Sequence, residues 1–243
     1  MTAAIAGPVA LLGSGEYLPS MEAVERALLA GRPARMAQLA TAAAPEGADR
    51  RRYWHRLGRD AADRLGVEQV IVPVIDRASA QDAANAALID DVGLIYLSGG
   101  SPPFLAATLR DTKVWTAIER AWRSGAALAG CSAGAMALTE QAPDPRQPLE
   151  APELGLGIAP QLRIIPHFDR FTRLLPATTL QQMTAAAGGV TVLGIDEETA
   201  LVGGPTEWEV QGGGCVWELT PGGRRKYAVG AVLHLPPPAP PPG

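Results

Sequence analysis

The chain is 243 residues long, 47% hydrophobic and carries a formal net charge of −4, enough apolar material to bury the core of one large domain. Its basic residues are nearly all arginines, scattered rather than clustered, so no electrostatic footprint for nucleic acid results. Two cysteines, Cys131 and Cys215, are too few for a disulfide framework and fit a reduced, cytoplasmic setting.

The opening stretch MTAAIAGPVALLGSGEYLP has no positive segment ahead of its apolar run, which breaks at Gly13-Ser14-Gly15. It is too short to span a bilayer and predicts a buried first strand, not a membrane anchor. From there, short apolar runs alternate with segments of helical period. Strands are predicted at 8–15, 35–43, 69–75, 93–100, 127–132 and 162–168. Between them SMEAVERALLAG, RRYWHRLGRDAADRLG, AQDAANAALIDD and FLAATLRDTKVWTAIERAWRSG read as amphipathic helices. In the second, Tyr53, Leu57, Ala61 and Leu65 fall on one face. Continuous apolar strands separated by helices predict an α/β fold, a three-layer doubly wound and mostly parallel sheet.

The pattern changes after residue 190, where strands are joined by Gly-rich turns with no room for crossover helices. These predict β-hairpins, as an antiparallel extension of the main sheet or a small flanking sheet. The expected organisation is one α/β domain over 1–235, with 190–235 as its hairpin extension, and a Pro-rich tail over 236–243 that neither pairs nor coils into a helix. The stretch 141–157, rich in proline and acid, is a loop that either overhangs a site or simply connects.

Ligands of open α/β sheets gather beyond the carboxyl ends of the strands. Three Gly-containing turns are expected there: GSGE (13–16), SGGS (98–101) and GCSAG (130–134). The first lacks the third glycine of a dinucleotide fingerprint and the Gly-Lys-Ser/Thr of a phosphate loop. The third offers a thiol and a hydroxyl side by side. Centred on Ser132, Gly130 and Gly134 complete the G-x-S-x-G of a nucleophile elbow; centred on Cys131 the flanks are Ala129 and Ala133, and the thiol is sent to the core. The amides of Ala133 and Gly100 are the expected oxyanion donors.

A serine needs a base, and three histidines compete. His55 lies on the polar face of a helix and reads as solvated, and His234 ends the last strand against the proline tail. His167 ends the strand LRIIPHF, at the same sheet edge as Ser132. For the orienting acid, GIDEETAL offers Asp196, Glu197 and Glu198; strand alternation would place Asp196 and Glu198 on one face and Glu197 on the other. Two alternatives accompany this assignment: an esterase-like hydrolase using Ser132, Asp196 and His234, and a catalytically silent binding protein for a small molecule.

Taken in order over roughly residues 8–215, LLGSGE, LSGGS, GCSAGAMAL, PHFDRFTRLL and GIDEETALV resemble peptidase family S51. That family includes cyanophycinase and aspartyl dipeptidase, on a fold similar to class I glutamine amidotransferases and flavodoxin-like in outline. The resemblance implies a Ser132–His167–Glu197 triad that cleaves a small peptide or isopeptide bond, possibly Asp-containing, through an acyl-enzyme. It implies no metal and no organic cofactor, a small peptide as partner, and allows a homodimer. It also implies substrate contacts from Ser101, Arg170 and Arg173, the arginines pairing with a carboxylate. The chain departs from the cyanophycinase pattern at Ser101-Pro102 and Ile165-Pro166, each in place of Asp-Gln, and at Phe171, in place of an arginine. Specificity is therefore expected to differ from cyanophycinase.

Overall fold

A computed structural model describes residues 6–147, 151–171, 190–220 and 222–237. The chain begins with β1 (Val9–Leu12), α1 (Glu22–Leu29), β2 (Arg35–Leu39), α2 (Ala48–Leu65) and β3 (Glu68–Ile71). It continues with α3 (Arg77–Ala80), α4 (Ala83–Ala87), β4 (Leu94–Leu97), α5 (Pro102–Leu109), α6 (Lys113–Arg123), β5 (Ala127–Cys131) and α7 (Ala133–Ala137). Strands β3-β2-β4-β5-β1 lie side by side in that order and all run parallel. Every residue of β1, β4 and β5 is buried, because helices cover both faces of the sheet. Alternation divides neighbours between two cores. Leu11, Ile95 and Leu128 face α5 and α6, while Leu12, Tyr96 and Ala129 face α1 and α2.

Helix ends follow local chemistry. The Thr112 hydroxyl caps α6 by accepting from the Trp115 amide, and α2 stops at Gly66 in the left-handed region. One of the expected helices is divided, since α5 and α6 are separate and Thr112 restarts the second. The helix expected at AQDAANAALIDD is shorter, starting only after the Asp82 cap and ending at Ala87, and α3 forms just ahead of it. The 35–43 strand is shorter than expected, since β2 gives way to a 3-10 turn at Thr41–Glu46.

Beyond α7 the chain forms β6 (Gln141–Ala142), β7 (Glu153–Leu154), β8 (Leu162–Ile165), α8 (Phe168–Phe171), β9 (Thr191–Ile195) and β10 (Thr199–Gly203). It closes with β11 (Glu207–Gly212), β12 (Cys215–Thr220), β13 (Gly223–Ala228) and β14 (Val232–His234). The expected strand at 162–168 does not join the main parallel sheet. It pairs in parallel with β9 in a second sheet of order β13-β12-β9-β8. The C-terminal strands divide between the two sheets: β10, β11 and β14 extend the main sheet antiparallel past β1, while β9, β12 and β13 build the second. The 141–157 stretch carries a minimal β6–β7 pairing. Among the described residues, no helix is long and apolar enough to cross a membrane.

Candidate active site

Strand β5 ends at Cys131 and α7 begins at Ala133, leaving Ser132 alone at the corner with φ 51° and ψ −107°. Such a conformation is rare outside glycine and costs on the order of 1–3 kcal/mol. The surrounding spacing has a steric cause. A Cβ on Gly130 would lie 2.6 Å from the Gly134 carbonyl carbon, and one on Gly134 would lie 2.3 Å from the Leu97 carbonyl oxygen. Only glycines let the elbow fold onto itself and onto β4. The Ser132 amide donates to the Leu12 carbonyl at 2.9 Å, tying the corner to the end of β1.

The other two residues come from the second sheet. Parallel pairing aligns Ile165 of β8 with Gly194 of β9, so the segments following both strands emerge side by side. His167 follows β8 with φ 51°. Its Nε2 lies 3.0 Å from Ser132 Oγ and its Nδ1 lies 2.9 Å from Glu197 Oε1. Glu197 stands in the turn between β9 and β10 and is held on two further sides. Its amide donates to Asp169 Oδ1 at 3.0 Å, and its Oε2 receives Arg170 Nε at 2.7 Å. Ser132, His167 and Glu197 thus form one hydrogen-bonded series.

Asp196 and Glu198 do not share a strand face as alternation suggests, because residues 196–198 turn and Glu198 has φ 51°. Asp196 instead accepts from the Cys215 amide and from Trp217 Nε1, both at 3.0 Å. Burial pushes its carboxyl above the usual range, against the pull of those two bonds. His234 is 77% exposed and lies 3.9 Å from Glu207. The Ser132–Asp196–His234 alternative is therefore not assembled. His55 is half-buried rather than solvated, and burial, then Arg51, lowers its pKa.

Sequence reasoning missed Glu16. This carboxylate is buried beneath Ser132, where Oε1 accepts the Gly99 amide at 2.9 Å and Oε2 accepts the Cys131 thiol at 2.7 Å. It joins the loops after β1 and β4 to the end of β5. Cys131 is fully buried, and burial followed by the charge of Glu16 raises its pKa well above the ordinary thiol value. The only signal in the sequence is a glutamate directly after a Gly-Ser-Gly turn, which reads equally well as a solvated acid.

The Gly99 amide is committed to Glu16 and the Ser101 amide to the Ala42 carbonyl. Between them, the Gly100 amide has no acceptor among the described residues. Ala133 sits at the first position of α7, where amides have no partner within the helix. A cavity of about 340 Å³ opens on Ser132, His167, Gly99 and Gly100, walled on one side by α2. Ser101 stands at the N-cap position of α5 without a side-chain capping bond, and it does not line the cavity. Arg170 Nε is paired with Glu197, and Arg173 lies outside the described residues.

Fold and site together define an open α/β sheet with a serine on a strained strand-to-helix elbow, facing a histidine and a glutamate delivered by a second sheet. The chain belongs to Peptidase family S51, whose profile matches residues 10–207. It is 32% identical over 160 residues to cyanophycinase from Synechococcus elongatus, covering 62% of this chain and 48% of that protein. It is 29% identical over 172 residues to cyanophycinase from Trichormus variabilis, covering 65% and 56%. The chain thus spans about half the length of the curated relatives it matches. A peptidase crystal structure from an acI-B1 Actinobacterium superimposes with a TM-score of 0.87 at 37% identity, over 96% of this chain and 98% of that one. A candidate peptidase E from Listeria monocytogenes shares the fold at a TM-score of 0.63 and 16% identity, over 85% and 98%.

Proposed function

We propose that the protein is a serine hydrolase that cleaves a small peptide or isopeptide bond through an acyl-enzyme. The observation that carries this reading is the unbroken series Ser132 Oγ–His167 Nε2 at 3.0 Å and His167 Nδ1–Glu197 Oε1 at 2.9 Å. His167 takes the Ser132 proton at Nε2 as the hydroxyl attacks the scissile carbonyl. Glu197 accepts from Nδ1–H, keeps the ring in the tautomer whose Nε2 is free, and stabilises the imidazolium. The Gly100 and Ala133 amides receive the oxyanion; donors of this kind contribute on the order of 3 kcal/mol each. His167 then gives its proton to the leaving amine, and water releases the acyl group by the reverse route.

The relatives called cyanophycinase and peptidase support a peptide substrate. Ser101-Pro102 and Ile165-Pro166 argue for a side-chain preference different from that of cyanophycinase. The series is complete within one chain, so the reading needs no second copy. Two free thiols, Cys131 and Cys215, support a reducing, cytoplasmic setting. The test is fluorophosphonate labelling with a dipeptide hydrolysis screen on the wild type and Ser132→Ala. Labelling and turnover are expected in the wild type and lost together in the variant. Turnover that survives Ser132→Ala refutes the reading, and absence of labelling in the wild type favours a silent binding protein.

A further inference from the structure

We propose that the cavity beside Ser132 binds a carboxylate of its peptide ligand between Arg50 and Arg146, with the adjoining apolar part of the ligand laid on Tyr53 and Trp54. The proposal rests on the hydrolase reading and specifies its substrate.

Residues 50, 53, 54 and 57 of α2 lie at i, i+3, i+4 and i+7, so they form a single face, and that face is the cavity wall. The Arg50 guanidinium sits 5.1 Å from the Tyr53 ring centre and 5.2 Å from that of Trp54. Two aromatic rings therefore hold it in place by cation–π attraction before any ligand arrives. Its donors are nonetheless unspent. Arg50 Nε approaches Glu46 Oε2 only to 3.4 Å, and among the described residues the guanidinium makes no hydrogen bond. Arg146, from the loop after β6, reaches the other Glu46 oxygen only at 3.8 Å. Two cations thus share one carboxylate.

The remaining acid of the cavity, Glu16, has both oxygens engaged by Gly99 and Cys131, so it is not a hydrogen-bond acceptor for either arginine. What the two arginines lack is a close acceptor, since the one carboxylate they share stays at 3.4 and 3.8 Å. A planar guanidinium with free donors matches a carboxylate bidentately, and its preorganisation on two rings reduces the ordering cost of binding. A volume of about 340 Å³ suits a short peptide fragment rather than a folded protein. The carboxylate is either the C-terminus of the peptide or an acidic side chain.

Calorimetric titration of Ser132→Ala, which binds without turnover, tests this with three probes: Ala-Phe, Ala-Phe-amide and Asp-Phe-amide. At least one carboxylate-bearing peptide is expected to bind about tenfold tighter than Ala-Phe-amide, the scale of a charge-assisted bond at a half-exposed site. The better of Ala-Phe and Asp-Phe-amide identifies the source of the carboxylate. Adding Arg50→Met or Arg146→Met is expected to remove the preference, while Arg50→Lys, which keeps charge but not the planar fork, restores it in part. Equal binding of all three peptides, binding of none at millimolar concentration, or a preference untouched by both methionine variants overturns the proposal. Fluorophosphonate labelling of the unmutated protein separates the two ideas. A carboxylate preference without labelling retires the hydrolase reading and keeps the site; labelling without a preference does the reverse.

Discussion

Glu25 lies in α1, fully buried, with Oε1 accepting the Tyr17 amide at 3.0 Å and Oε2 without a hydrogen-bond partner among the described residues. Burial raises its pKa from 4.5 to about 7, against the opposing pull of the Tyr17 amide and Arg64. Between those values the folded protein keeps a proton that the unfolded chain has released, so stability falls as pH rises. The contribution is full below about pH 4.5 and is lost on passing pH 7. At about 1.4 kcal/mol for each pH unit, the displacement is worth roughly 3 kcal/mol, a large part of a typical domain's stability. Glu25→Gln keeps the acceptor for Tyr17 and the volume but does not titrate. Urea unfolding of both proteins between about pH 5 and about pH 8 is expected to show the variant gaining on the wild type by rather more than 2 kcal/mol, then levelling off. Other titrating groups cancel in that difference. A flat difference would falsify the argument, because it means that Glu25 titrates alike in both states.

Gly134→Ala drives a methyl to 2.3 Å from the Leu97 carbonyl oxygen; a stability loss of about 2 kcal/mol or more is expected, read by thermal unfolding, together with loss of fluorophosphonate labelling. Glu16→Ala strips the Gly99 amide and the Cys131 thiol of their acceptor; about 2 kcal/mol or more of stability should go, and labelling should slow because Gly100 is next to the freed amide. His167→Ala should abolish labelling and His234→Ala should leave it unchanged; the opposite pattern would reinstate the arrangement centred on His234. Cys131, buried and held in its thiol form, should resist iodoacetamide until the protein unfolds, and rapid alkylation of the native protein would contradict that burial.

The parallel half of the fold is legible because strands covered on both faces must be apolar throughout: VALL, LIYL and ALAGC announce themselves. The elbow is legible for a related reason, since crowding at Gly130 and Gly134 leaves little choice of residue type. The second sheet is not. LRII reads the same in either sheet, and only its pairing with β9 decides which one it joins. Choosing among Asp196, Glu197 and Glu198 likewise depends on a turn whose geometry breaks strand alternation. Glu16 is hidden for the opposite reason: a charged residue beside glycine is ordinary on a surface, and only its partners across the fold mark it out. Arg170 stands out in the motif, but its pairing with Glu197 does not.

The division of the site between two sheets also orders events in time. Synthesis runs from the N-terminus, so the five parallel strands and Ser132 exist before His167, and His167 exists before Glu197. A chain released early, or one whose second sheet has come undone, holds a serine with no base beside it. Hydrolytic capacity, on the proposed reading, therefore waits for the turn after β9 that carries Glu197.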